Sequence, residues 1–318
     1  MKKFFKKLLL FIIFLFLFTE VVSRIFHVST DAPKTYKNTN GNVNYYANQE
    51  GYWGGGKHKW YVNKLGYPGR NSPDNYNNLV LLMGDSYIQN FMNPDSCRQR
   101  EYLSKLESKY NFMNVSKDGL NLLGEFEYAK PLDSLSPILK IIYVSNNDFL
   151  SNIKNKSRFK GSYQVDLETG KIKYPNYRGS KVKDFIYNFK FIYYLYRKNI
   201  DLFTSKKMID DVTDTAEIGR KKDKIFDDEY KEISKLLDFI KETYEWENVL
   251  FVFHPNSSMK LIELTKEKGF KVMKIFKNEK ENWKTKNDGH WNCEAHEIIA
   301  NQIIAYIRDN ELLVNNSK

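Results

Sequence analysis

Leu79-Val80-Leu81-Leu82-Met83-Gly84-Asp85-Ser86-Tyr87 is the stretch from which the rest of the chain can be placed. Leu79 to Met83 is a short, wholly apolar run, which reads as a buried strand. It stops at Gly84, and a helix is expected to start near Ser86 or after Pro94. The same pattern returns along the chain. Phe112–Val115, Leu139–Val144, Val249–Phe253 and Phe270–Ile275 are further strand candidates, and Ser145-Asn146-Asn147-Asp148 and His254-Pro255 follow two of them. Helical spacing lies between, at Arg100–Tyr110, Tyr230–Tyr244, Met259–Lys268 and Ala295–Ile307. Strands alternating with helices predict an α/β domain: a mostly parallel sheet with helices on both faces.

Outside this core the chain changes character. Lys2, Lys3, Lys6 and Lys7 precede an uninterrupted apolar run from Leu8 to Phe18. The pure run has the length of a signal-peptide core, whereas Phe4 through Val22 is long enough to span a membrane. An uncleaved anchor over residues 1–26 is the preferred expectation, with cleavage near Val21-Val22-Ser23 and secretion as the alternative. In both cases the basic flank stays in the cytoplasm and the remainder lies outside it. Residues 27–76 form a lead-in with turn signals at Gly54-Gly55-Gly56 and Pro68-Gly69, expected to be irregular and to pack on the domain through Tyr52, Trp53, Trp60 and Tyr67. The main domain is expected over 77–312, with a tail over 313–318. An insertion at about 152–222 contains a hairpin around Glu168-Thr169-Gly170, a helical segment at Phe185–Tyr196 and a polar stretch from Thr204 to Lys222.

The 318 residues are enough for one sizeable domain with appendages, and 42% hydrophobic with 28% charged residues is an ordinary globular balance. The net charge of +11 is divided between the N-terminal lysines and scattered positions. With no Arg-rich stripe, nucleic acid is not an expected partner. Cys97 and Cys293 are the two cysteines; the sequence leaves open whether they are paired or free. No metal-ligand spacing such as H-E-x-x-H is present, and no cofactor or metal is expected.

The polar residues of interest follow the strands. Ser86 comes after the first, Gly119 after the second, Asn147 and Asp148 after the third, and Asp288 and His290 after the fifth. Carboxyl ends of parallel strands are where open α/β sheets bind ligands. A serine hydroxyl becomes a useful nucleophile when a histidine takes its proton and a carboxylate orients that histidine. The oxyanion formed on attack then needs donors. The backbone N–H groups of Ser86 and Gly119 and the side-chain amide of Asn147 are suitable types. His254 and His296 are expected to be structural or at the rim.

Gly84-Asp85-Ser86-Tyr87, Asn114 to Gly119, Ser145 to Asp148, and Asp288-Gly289-His290-Trp291-Asn292 with Ala295-His296 together resemble the motif blocks of the SGNH, or GDSL-type, hydrolases. The lead-in Val62 to Gly69 and Thr19 to Arg24 resemble the membrane-anchored bacterial envelope members. That resemblance implies a flavodoxin-like three-layer α/β/α sandwich. It also implies Ser86 as nucleophile, His290 as base, Asp288 as orienter, and Ser86, Gly119 and Asn147 around the oxyanion. Two positions depart from the family pattern: Ser145 stands in place of a glycine, and Asn287 stands where many members carry the aspartate, moving it to Asp288. Gly124 is the alternative to Gly119. The implied activity is removal of O-acyl groups from a carbohydrate or other acylated substrate of the envelope. Acyl transfer with a multi-span membrane partner as donor, or a non-catalytic assembly role on the same fold, are the alternatives.

Overall fold

The computed structural model describes residues 1–153, 162–175, 185–196, 198, 227–285 and 288–313. The Thr204–Lys222 stretch and Asn287 lie outside the described residues, as does the side chain of Asp288.

Five parallel strands form the central sheet: β1 (Leu79–Gly84), β2 (Asn111–Ser116), β3 (Leu139–Val144), β4 (Val249–Phe253) and β5 (Lys271–Lys274). Their order across the sheet is β2-β1-β3-β4-β5, the doubly wound order of flavodoxin-like folds. Side chains alternate between two cores, as the strand period of two requires. Leu79, Leu81 and Met83 of β1 join one core; Val80 and Leu82 join the other. In β4, Val249, Phe251 and Phe253 go to the first and Leu250 and Val252 to the second.

The helices that follow are α1 (Lys2–Ile25), α2 (Ser86–Gln89), α3 (Gln99–Leu106), α4 (Leu122–Ala129), α5 (Asn146–Leu150), α6 (Asp227–Thr243), α7 (Met259–Glu267) and α8 (Cys293–Asp309). Leu122, Phe126, Ile233, Leu237 and Leu261 from α4, α6 and α7 cover the first face of the sheet. Leu103 of α3 and Ala295, Ile299 and Ile303 of α8 cover the second. The result is the expected three-layer α/β/α sandwich.

Helix α1 is 24 residues long and contains an 18-residue window with a mean hydropathy of 2.4. At 1.5 Å per residue it reaches about 36 Å, enough for the roughly 30 Å hydrocarbon layer. It is long and apolar enough to be a membrane anchor or a signal sequence. Its last turns touch the domain. Glu20 accepts hydrogen bonds from the backbone N–H groups of Lys190 and Phe191, both at 2.9 Å, and Arg24 donates to the Asn188 carbonyl at 2.7 Å.

The lead-in holds two short hairpins, Thr35–Lys37 with Val43–Tyr45 and Gln49–Tyr52 with Lys59–Val62. Their strands are only three or four residues long, too short for a period-two signal to stand out in the sequence. Tyr45, Trp60 and Val62 pack with Phe91 in a small core beside the segment that follows α2. The hairpin in the insertion pairs Gln164–Asp166 with Lys171–Lys173.

Candidate active site

Gly84 closes β1, and a side chain there would meet Ile88 Cγ1 at 2.6 Å. Glycine therefore lets the chain turn from strand to helix within one residue. Asp85 caps α2, its Oδ1 accepting from the Tyr87 N–H at 2.9 Å. Ser86 becomes the first helical residue, held at the strand's carboxyl end.

His290 reaches Ser86 from the far end of the chain. Its Nε2 lies 2.7 Å from Ser86 Oγ, across 204 residues of sequence. The histidine sits on the strand Asp288–Trp291, which pairs antiparallel with Lys284–Thr285 and brings Asp288 opposite Thr285. Two links hold this strand against the nucleophile segment. Asn93 donates from Nδ2 to the Trp291 carbonyl at 2.7 Å and to Asn90 Oδ1 at 2.6 Å. Cys97 and Cys293 form a disulfide, which resolves the pairing that the sequence left open. The Tyr87 ring lies 4.7 Å from the His290 ring and 4.8 Å from that of Trp291.

Gly119 follows β2 with φ +75° and open space where a side chain would point. Its backbone is thus exposed in a conformation that glycine adopts without strain. Gly124 is different. It lies buried within α4, and a Cβ there would stand 2.6 Å from the Tyr163 ring, so its role is helix packing. Asn147 occupies the first turn of α5. Ser145 and Asp148 cap that helix reciprocally, with Asp148 Oδ2 accepting from the Ser145 N–H at 2.7 Å and its hydroxyl at 2.8 Å. Serine in place of glycine at 145 therefore has a structural use: it fixes the helix that presents Asn147.

Gly119, Asn147, Asp85 and Tyr87 line a cavity of about 600 Å³, together with His254. His254 stacks on Trp291 with ring centroids 5.6 Å apart. A second cavity, of about 590 Å³, is lined by Ser86, His290 and Asp118. The two meet across the 85–87 and 118–119 segments, whose consecutive residues line one or the other. His296, by contrast, is fully buried on α8. Burial, and then the charge of Arg98, push its pKa down to about 3, so it stays neutral and away from the reacting atoms.

Sequence reasoning missed one group beneath the site. Glu125 of α4 is fully buried, and neither carboxyl oxygen has a hydrogen-bond partner among the described residues. Burial first, then the neighbouring Asp148 and Asp85, raise its pKa well above the ordinary value. Burial also raises Asp85 and Asp148, and Asp148 adds to the effect on Asp85. The available signal was a pair of glutamates, Glu125 and Glu127, inside the otherwise apolar run Leu122 to Ala129. The folded chain holds protons that the unfolded chain would release. These acids therefore favour folding most below the unfolded carboxyl pKa of about 4, and stability falls as pH rises through their raised values. Glu125→Gln, which needs no proton to be buried neutral, is expected to stabilise the protein by roughly 1–3 kcal/mol at pH 8, since each pH unit over which only the folded chain holds the proton is worth about 1.4 kcal/mol. The gain should vanish by pH 4. Thermal melts of both proteins across that range measure it; a constant offset at every pH would contradict it.

No family model matches the chain, and no curated protein is significantly similar to it. Solved structures that it resembles in chain course include an acetyl xylan esterase from Butyrivibrio proteoclasticus, at 12% identity and TM-score 0.39, covering 77% of this chain and 67% of that one. The psychrotrophic esterase EstA from Pseudoalteromonas sp. gives 10% identity and TM-score 0.39 over 74% and 98% of the two chains. A member of the lipolytic G-D-S-L family from Veillonella parvula gives 11% and 0.37 over 72% and 98%. Overlaps of this size do not bear on activity, which is inferred from the site's own atoms.

Proposed function

We propose that the chain is a serine esterase of the SGNH type that removes O-acyl groups from a carbohydrate or envelope glycan. The observation that carries it is the 2.7 Å contact between Ser86 Oγ and His290 Nε2 at the carboxyl edge of the sheet. A serine hydroxyl at hydrogen-bond distance from an imidazole nitrogen is the arrangement for nucleophilic acyl chemistry.

In the proposed reaction Ser86 Oγ attacks the acyl carbon while His290 Nε2 takes the hydroxyl proton. Asp288 orients His290. The oxyanion accepts hydrogen bonds from the Ser86 and Gly119 N–H groups and the Asn147 amide. The C–O bond to the sugar then breaks, and His290 returns the proton to the departing sugar oxygen. Water, deprotonated by the same histidine, attacks the acyl-enzyme and releases the acid. With a second glycan hydroxyl in the cavity beside Asn147 in place of water, the same residues transfer the acyl group. In that case a multi-span membrane protein supplies the donor.

We place the domain outside the cytoplasm, held by α1 as a single span. The basic residues Lys2 to Lys7 support this orientation, as does the Cys97–Cys293 bond, since disulfides persist in oxidising compartments. A fluorophosphonate activity probe tests the nucleophile. Labelling is expected at Ser86 in the folded protein and absent in Ser86→Ala; a folded wild-type protein that stays unlabelled would sink the proposal.

A further inference from the structure

The two cavities that meet at the nucleophile differ in chemistry. The one beside Asn147 is walled largely by hydrogen-bonding side chains, among them Asn121, Ser145, Asn256 and Ser257, together with the carboxyls of Asp85 and Asp148. Such groups suit the hydroxyls of a sugar. The one that contains Ser86 and His290 has an aromatic and aliphatic stretch of wall, in Tyr45, Trp53, Phe91, Met92 and Tyr193, with Asp31, Asp118 and Lys198 among its polar lining. Tyr45 and Phe91 are each only 4% exposed, so that wall is set in the packed core of the lead-in. An ester has two sides, an alcohol and an acyl group, and the reacting carbon lies between them.

The aromatic cavity also has a defined position relative to α1. Val28 to Pro33 line it, and they begin three residues after Ile25, the last residue of that helix. Three residues span at most about 11 Å. Tyr193, on the other side, belongs to the 185–196 segment. That segment is fastened to α1 by Glu20 and Arg24, and by the Phe16 and Phe189 rings, 5.9 Å apart. Ile25, Phe26 and Phe185 stand 61–66% exposed on the elements that meet there. Large apolar side chains left uncovered beside a spanning helix are suited to the lipid–water boundary.

We infer that the substrate ester lies across Ser86 with its sugar in the Asn/Ser cavity and its acyl group in the aromatic cavity on the membrane side. The acyl group is then an aliphatic chain of several carbons rather than acetyl, carried on an amphiphile at the membrane surface. This placement rests on Ser86 being the esterase nucleophile. It goes further in assigning each side of the ester to a cavity and the acyl chain to a length.

Alkylboronic acids test the assignment, because boron adds reversibly to a nucleophilic serine oxygen and the alkyl group takes the place of the acyl chain. The full chain in phospholipid vesicles is incubated with methyl-, butyl- or octylboronic acid. Protection of Ser86 from the fluorophosphonate probe is then measured. Each methylene taken from water into the cavity is expected to strengthen protection about three- to fourfold. Octyl should therefore outperform methyl by at least tenfold. Ala32→Trp, at an exposed position on the cavity wall, should lower the octyl-to-methyl ratio at least fivefold. Protection independent of chain length, or a chain-length dependence that Ala32→Trp leaves unchanged, would overturn the assignment while Ser86 labelling stands. Loss of labelling itself would bring down the esterase proposal, and this one with it.

Discussion

Ser86→Ala and His290→Ala are each expected to lower kcat/KM toward a carboxylic ester by roughly 10⁴–10⁶-fold, and the double variant to do no worse than either single one. The hydroxyl is inert until its proton leaves, and without the serine there is no acyl-enzyme for the imidazole to resolve, so removing either abolishes the same step. The residual rate then comes from the oxyanion donors and from binding. Each variant should keep the fold. Ser86 is a half-buried first-turn residue, and α2 is capped by Asp85 rather than by Ser86. Far-ultraviolet circular dichroism and the melting temperature check that. If the double variant lost activity as the product of the two single losses, Ser86 and His290 would be acting independently and the shared proton transfer would be wrong.

Opening the Cys97–Cys293 bond is the second large effect. The bond closes 196 residues of chain, and a loop of that size costs the unfolded state about 5 kcal/mol of conformational freedom when cross-linked. Replacing both cysteines by serine should lower the unfolding free energy in urea by about that amount, and reduction of the wild-type protein should do the same. Activity should fall as well. Cys293 opens α8, three residues past His290, and Cys97 lies just ahead of α3, on which α8 packs. Without the bond, Asn93 and helix packing alone hold the histidine strand to the nucleophile segment. A reduced protein with unchanged turnover would show that those contacts suffice.

Where the physics was local, the sequence was informative. Leu79–Gly84, Leu139–Val144 and Val249–Phe253 were recognisable because strands buried on both faces are apolar at nearly every position, Lys140 being the exception. Ser86, Asn147 and His290 could be placed because parallel strands bring their carboxyl ends to one edge. Helix α4 was not recognisable. All eight of its residues are buried, so no exposed polar face marks a helical period, and Gly124 within it reads from the sequence as the alternative to Gly119. The pairing of Cys97 with Cys293 depends on two distant segments meeting, which no spacing encodes. The partnerless Glu125 and the stack of His254 on Trp291 likewise exist only once the layers have closed. Asp288, expected after the fifth strand, lies on a further short strand together with His290, and its orienting role is a proposal.

The 204 residues between Ser86 and His290 give the reaction a place in the chronology of synthesis. The proposed nucleophile is made well before its proposed base, which lies on a strand whose seat depends on α8 docking against α3. A chain that stops short of residue 290 can raise most of the sheet and still lack its proton acceptor. Activity on the proposed chemistry is therefore a late event in each molecule's life. It waits on the docking of α8, long after α1 has left the ribosome.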